Sequence, residues 1–209
     1  MNNSQVDKHS GAVTWESARD LSNYVKSSAC STKLAQILSN HNDSLTILEL
    51  GCGSALPSLT LMEVLALNGY EGSVTVHLQD MDEVTIESVT KPHVENVIST
   101  LPEPFGSRIN IRYIVSSWEA LDDVQADIIL SSECIYREDL FTAHAGVIER
   151  SLPPHGIALL AAKRYYFGCG GGTIEFSEFL ASNTELIADL AEVFENGVSN
   201  TREILLVHR

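Results

Sequence analysis

The spacing of apolar positions changes several times along the 209 residues. From Val13 to about Asn40 the positions Trp15, Ala18, Leu21, Val25, Leu34, Ile37 and Leu38 recur at helical spacing. Leu45–Leu50 (LTILEL) then reads as a short buried strand that runs into Gly-Cys-Gly. Pro57, a residue suited to a first helical turn, opens a helix through about Leu67. Ser73–Leu78 is a second strand, and Asp82 to about Ile98 is helical with a break expected near Pro92. Further strands are expected at Ile109–Val115, Ala126–Leu130 and Gly156–Lys163, with a helix at Glu138–Arg150. Thr173–Leu180 begins another helix, and Leu186–Phe194 and Glu203–His208 close the chain as two strands. Strands alternating with helices predict βαβ units on a mostly parallel sheet. The two late strands predict an antiparallel ending. The expected fold is therefore a doubly wound, seven-stranded α/β sheet with N-terminal helices. Residues 1–13 are expected to form a loose arm ahead of one domain at 14–209.

Composition narrows the function. The chain is 44% apolar and 20% charged, which suits a folded domain. Its 28 acidic residues against 13 Lys and Arg leave a net charge of −15. Such a surface repels phosphate backbones and attracts basic partners, so direct nucleic-acid binding is not expected. The same charge also serves solubility alone. Cys30, Cys52, Cys134 and Cys169 lack metal-site spacing and a disulfide framework, so no metal is expected. Met1–Ser10 is polar, and no apolar run reaches the roughly 18 residues of a membrane span. These features predict a protein of the cytoplasm or nucleus, away from membranes; a monomer is expected, though no sequence feature sets the oligomeric state.

Four segments carry candidate chemistry, each at the end of an expected strand. Glu49-Leu50-Gly51-Cys52-Gly53-Ser54-Ala55 is a turn whose glycines let backbone approach a ligand. Asp80 ends the second strand, where a carboxylate can accept both hydroxyl hydrogens of a ribose. A nicotinamide cofactor would use a similar acid, but the loop is G-x-G-x-A and lacks the pyrophosphate pattern. Read alone, the loop is also compatible with a plain strand-to-helix turn. Ser116-Ser117-Trp118-Glu119 follows the third strand, where an indole can cover an adenine and a serine can bond its edge. Trp118 is equally compatible with a place in the core. Ser131-Ser132-Glu133-Cys134-Ile135-Tyr136 follows the fourth strand, and an acid there, beside a buried strand, is costly without a role. Lys163 to Gly172 follows the fifth strand, with four glycines between Gly168 and Gly172. Such a loop can hug a substrate, hinge over a site or simply connect elements. It lacks the Gly-Lys-Ser/Thr ending of a phosphate loop.

Taken together, Glu49 to Ala55, Asp80 and the two late strands resemble the seven-strand S-adenosylmethionine-dependent methyltransferases. Ser132-Glu133-Cys134-Ile135-Tyr136 resembles the acid-x-x-aromatic signature of the group that modifies protein side chains, and Val13-Thr14-Trp15-Glu16 resembles that group's N-terminal helix. Tyr166-Phe167-Gly168-Cys169-Gly170-Gly171-Gly172 and Thr90-Lys91-Pro92-His93-Val94 are similar to the protein-histidine methyltransferase subfamily. That subfamily acts on the tau nitrogen of a histidine in large-subunit ribosomal protein three. The resemblance covers about residues 13–209. It departs at Ala55, where a third glycine is frequent, and in the short stretch before Trp15.

The resemblance implies S-adenosylmethionine as cofactor and a basic ribosomal protein as substrate. It implies Glu49, Gly51 and Gly53 along the methionine part, Asp80 at the ribose, and Ser117 and Trp118 at the adenine. Ser132 and Trp15 complete the expected cofactor contacts, with Glu16 helping to close the pocket. Glu133, Tyr136 and Tyr166 are the expected catalytic residues, Glu133 holding either the cofactor's amino-acid end or the acceptor ring. A lysine acceptor, a small-molecule acceptor and a non-catalytic binding module are the competing readings.

Overall fold

The computed structural model describes residues 14–41, 43–195, 197 and 200–209. The expected arm at 1–13 lies outside the described residues. Helices α1 (Glu16–Val25) and α2 (Ser28–Leu38) lead into β1 (Ser44–Leu50). There follow α3 (Leu56–Leu67), β2 (Ser73–Asp80), α4 (Glu83–Thr85), α5 (Lys91–Ile98), β3 (Ile109–Val115) and β4 (Ile128–Ser132). The chain ends with α6 (Phe141–Ser151), β5 (Ile157–Lys163), α7 (Thr173–Asn183), β6 (Ile187–Phe194) and β7 (Arg202–His208).

The strands form one sheet in the order β3-β2-β1-β4-β5-β7-β6. The first five are parallel neighbours, while β7 runs antiparallel between β5 and β6. Strand order reverses between β1 and β4, and a ligand cleft in such sheets lies past the carboxyl ends at that point. One apolar layer packs Leu21, Tyr24, Leu34, Leu59, Met62 and Val94 against one sheet face. Phe141, Val147, Ile148, Phe176 and Leu180 fill the other. β1 and β4 are buried on both faces, which is why LTILEL and IILSS show no alternation.

Three boundaries differ from those expected. The single N-terminal helical stretch is two helices, because Ser27 caps α2 by accepting from the Cys30 amide at 3.2 Å. Near Pro92 the helix does not break; Ile86–Thr90 widens into a π turn and α5 resumes with Pro92 in its first turn. Glu138–Leu140 is a 3₁₀ turn before α6. No helix among the described residues is long and apolar enough to cross a membrane.

Candidate active site

The turn after β1 is built from backbone. Gly51 has φ +59°, a left-handed conformation that glycine adopts without penalty. A methyl there would also lie 2.6 Å from the Cys134 sulfur, so a side chain at residue 51 would force Cys134 to move. The Gly51 amide donates to Gln79 Oε1 at 3.1 Å, and the Cys52 amide to the Gln79 carbonyl at 2.8 Å. The Gly53 amide donates to Asp80 Oδ2 at 3.0 Å, while Asp80 Oδ1 accepts from the Asp82 amide at 3.1 Å. A carboxylate has about four acceptor positions, so the half-buried Asp80 keeps acceptor capacity after both bonds.

Glu49 sits beneath this turn and is 1% exposed. Its Oε2 accepts from the Ser58 amide at 3.0 Å, and its Oε1 is buried without a partner. Burial pushes its pKa up to about 8, with Ser58 hydrogen bonding opposing and the Asp80 charge adding. The Cys52 and Cys134 thiols on either side are also raised by burial, Cys134 to about 12, so neither is a thiolate at neutral pH.

Past β3, Ser117 is exposed and Ser116 Oγ is buried without a partner. Trp118 is half-buried: its indole N–H donates to Gln79 Oε1 at 3.0 Å, and its ring meets His144 edge-on at 4.7 Å. Burial lowers the pKa of His144 to about 3, so it is neutral, with Nε2 2.9 Å from Ser131 Oγ. Trp118 thus belongs partly to the core and partly to the cleft wall.

The second cluster lies past β4 and β5. Glu133 has φ +57°, unusual for a residue with a side chain. Tyr166 donates its hydroxyl to Glu133 Oε2, and Ser17 of α1 donates to Oε1. The Lys163 amide donates to the same phenol oxygen at 3.2 Å, and the Lys163 ammonium stands 5.4 Å over the Tyr166 ring. Burial and the Glu133 charge raise the Tyr166 pKa, so it remains a donor. Tyr136 faces Tyr166 edge-on, with ring centres 6.3 Å apart. Ser132, half-buried, accepts from the Cys134 thiol through its carbonyl at 3.4 Å. Trp15 caps the start of α1 and is 46% exposed. Glu16 and Asp20 on that helix both pair with Arg202 of β7, anchoring α1 over the cleft.

The glycine run after β5 is tied to the loop after β4. The Gly172 amide donates to the Ile135 carbonyl at 3.0 Å and the Tyr166 amide to the Gly171 carbonyl at 2.9 Å. A methyl on Gly171 would overlap the Tyr136 and Arg137 backbone. The two loops therefore dock main chain to main chain, which places Tyr136 and Tyr166 side by side.

A family model described as lysine methyltransferase matches residues 1–200. The chain belongs to the lysine methyltransferase family. Within it, a Dictyostelium discoideum protein named histidine protein methyltransferase 1 homolog is 34% identical over 76% of this chain and 48% of its own length. The Rattus norvegicus protein of the same name is 31% identical over 73% of this chain and 47% of its own. The chain thus spans about half the length of these curated relatives. Among solved structures, the Synechocystis magnesium protoporphyrin IX methyltransferase with bound SAM superposes with TM-score 0.61 at 12% identity. That match covers all of this chain and 93% of the other and shows the shared fold.

Several residues that hold this candidate site together were not singled out as functional in the sequence. Gln79 ties the glycine turn to the β3 end through Gly51, the Ser116 carbonyl and Trp118. Thr90 donates to the Gly53 carbonyl at 2.7 Å from the π turn, and His93 Nδ1 lies 3.2 Å from the Ser54 carbonyl. Thr90 and His93 carried a resemblance but no role. A π turn has no sequence pattern of its own, so their inward direction was not legible. Ser17 was hidden because a serine in the first turn of a helix resembles ordinary surface.

Proposed function

We propose that this chain is an S-adenosylmethionine-dependent protein-histidine methyltransferase, acting on the tau nitrogen of a histidine in large-subunit ribosomal protein three. The observation that carries the reading is Asp80, held by the Gly53 and Asp82 amides with acceptor capacity to spare at the carboxyl end of β2, one strand from the strand-order reversal. The buried, partnerless Glu49 oxygen fits a cationic ligand, as the cofactor's methionine end would be. Ser116 Oγ, also without a partner, fits a polar edge past β3. Gly51 and Gly53 would pass along the methionine part, Asp80 would hold the ribose, and Ser117 and Trp118 would flank the adenine. Trp15 and Ser132 complete the wall.

When bound, the cofactor supplies an already activated methyl group. The chain's task is then to orient a neutral nucleophile in line with it and exclude water. Glu133, fixed by Tyr166 and Ser17, has lone pairs left to accept one imidazole N–H. That bond fixes the tautomer and leaves the other ring nitrogen unprotonated. Tyr136 and Tyr166 form two walls for a flat ring. The histidine-named relatives support this acceptor, whereas the family description supports lysine, which the same carboxylate would bind as ammonium.

The deciding experiment incubates the protein with methyl-labelled cofactor and ribosomal protein three, then digests and sequences the product by mass spectrometry. Label on one histidine is expected. Label on lysine transfers the reading to the second acceptor, and absence of label on any protein fraction of a cell extract overturns it.

A further inference from the structure

Gln79, the last residue but one of β2, is 1% exposed. Its register partners are Leu50 of β1 and Ile114 of β3, so it stands between the ends of both neighbouring strands. Beyond its strand pairing, four bonds join it to two segments. Toward the turn after β1, its carboxamide oxygen accepts from the Gly51 amide at 3.1 Å and its main-chain carbonyl accepts from the Cys52 amide at 2.8 Å. Toward the segment after β3, the same carboxamide oxygen accepts from the Trp118 indole N–H at 3.0 Å, and the carboxamide nitrogen donates to the Ser116 carbonyl at 2.7 Å.

The partners dictate the residue type. Gly51 and Trp118 present N–H donors, and Ser116 presents a carbonyl acceptor. The group between them must accept twice at one atom and donate from the next. A carboxamide does so in one orientation, and both lone pairs of its oxygen are then taken. Asparagine carries the same head on a stem one carbon shorter, and methionine has the length without the polar atoms. A carboxylate would set its second oxygen against the Ser116 carbonyl. Gln79 therefore keeps no oxygen lone pair for a ligand and acts through Gly51 and Trp118.

We infer that the Gln79 carboxamide is the positioning residue that fixes the spacing between two walls of the cofactor cleft, the glycine turn after β1 and Trp118 after β3. The inference rests on the cofactor reading above, in which those walls take the methionine part and the adenine. A ligand that touches both walls gains from a preset spacing, because less ordering accompanies its binding. A ligand that touches one wall gains little.

The test measures binding to cofactor-free Gln79→Met and Gln79→Glu by calorimetry. The ligands are S-adenosylmethionine and methylthioadenosine, which carries the adenosine without the amino-acid end. Gln79→Met should bind S-adenosylmethionine about 30-fold more weakly, and methylthioadenosine within about threefold of the wild-type chain. In a Trp15→Phe background, which leaves Trp118 as the one tryptophan, Gln79→Met should move the emission to longer wavelength as the indole N–H loses its partner. Gln79→Glu supplies its own rescue. A protonated carboxyl accepts at one oxygen and donates from the other, as the carboxamide does, whereas a carboxylate cannot donate. Its affinity for S-adenosylmethionine should match wild type within about threefold at about pH 5 and fall about tenfold below it at about pH 8, since burial holds the proton on and rising pH removes it. Every other titratable group is common to both proteins, Glu49, Cys52, His77, Asp80 and His144 among the neighbours, so the difference between the two profiles belongs to residue 79. Gln79→Glu keeps the shape and decides the matter if Gln79→Met fails to fold. Equal losses for the two ligands in Gln79→Met overturn the inference. So does a Gln79→Glu affinity that tracks wild type at both pH values. If the wild-type chain binds neither ligand, the cofactor reading itself fails and takes the role of Gln79 with it.

Discussion

The two halves of the cleft are made in different ways. At the β1–β2 end, main-chain amides do the holding: Gly51 and Cys52 bond Gln79, and Gly53 bonds Asp80. At the β4–β5 end, side chains hold side chains: Ser17 and Tyr166 clasp Glu133, and Tyr136 leans on Tyr166. Main-chain donors are supplied by any residue, so at the first end only the acceptors Gln79 and Asp80 depend on residue identity, and that end suits a ligand read mostly by backbone. Side-chain bonds change with single substitutions, so the second end suits the variable partner, the acceptor. Fold and chemistry separate accordingly.

The largest test of this contrast is Asp80→Ala. Two charge-assisted contacts to a ligand, each worth roughly 1.5–3 kcal/mol, should vanish, weakening cofactor binding about 1,000-fold by calorimetry. The acceptor's own binding should hardly move. A comparable loss of acceptor binding would break the division between the two ends.

Next comes the opposite end. Glu133→Gln keeps the shape but replaces one carboxylate oxygen by a donor, so the tautomer is no longer imposed. The kcat should fall about 100-fold with cofactor affinity intact. Tyr166→Phe removes one of the two hydroxyls that orient Glu133 and should give a smaller fall in the same direction. An equal loss of cofactor affinity in Glu133→Gln would instead place this carboxylate on the cofactor's amino-acid end.

A pH dependence sharpens the first end. Glu49 has its pKa raised from 4.5 to about 8, so the folded protein holds its proton where the unfolded chain has released it. The cofactor-free protein should therefore lose stability as pH rises from 4.5 toward about 8. Pairing with a cationic ligand requires the carboxylate, so cofactor binding releases a proton. Affinity should rise with pH, levelling off above about 8, and Glu49→Gln should flatten the profile in a titration series. A wild-type profile already flat across that window would remove Glu49 from the cation's neighbourhood.

The sequence carried the first end better than the second. Glycine turns and an acid at a strand end are local signals, and β1, β2 and Asp80 stand where the pattern puts them. The seven strands and the antiparallel finish were legible because each strand lies between turn residues. The second end depends on contacts between residues far apart in the chain. Ser17 reaches Glu133 across 116 positions, and the Gly171–Tyr136 approach joins two loops. Spacing along a chain does not encode such meetings. The glycine run was visible as unusual, but its reason, the lack of room between two backbones, required both loops in place. Trp118 shows the same limit, since its partners Gln79 and His144 come from β2 and α6.

The smallest expected effect lies at Ala55, in the same turn as Gly51 and Gly53. Ala55 has φ +55° and is fully buried. Left-handed backbone costs a residue with a Cβ roughly 1–2 kcal/mol, which Ala55→Gly would relieve. The same change removes a buried methyl worth about 0.8 kcal/mol and frees the unfolded chain by a further 0.4–1 kcal/mol or so. These contributions nearly cancel, so thermal unfolding should shift by less than about 1 kcal/mol in stability. Cofactor affinity should be unchanged, because the amides of Gly51, Cys52 and Gly53 keep their acceptors whether or not a methyl stands at residue 55. A tenfold change in affinity with stability intact would mean that the turn's side chains, and not its backbone alone, shape the cofactor end. The contrast between the two halves would then be one of degree.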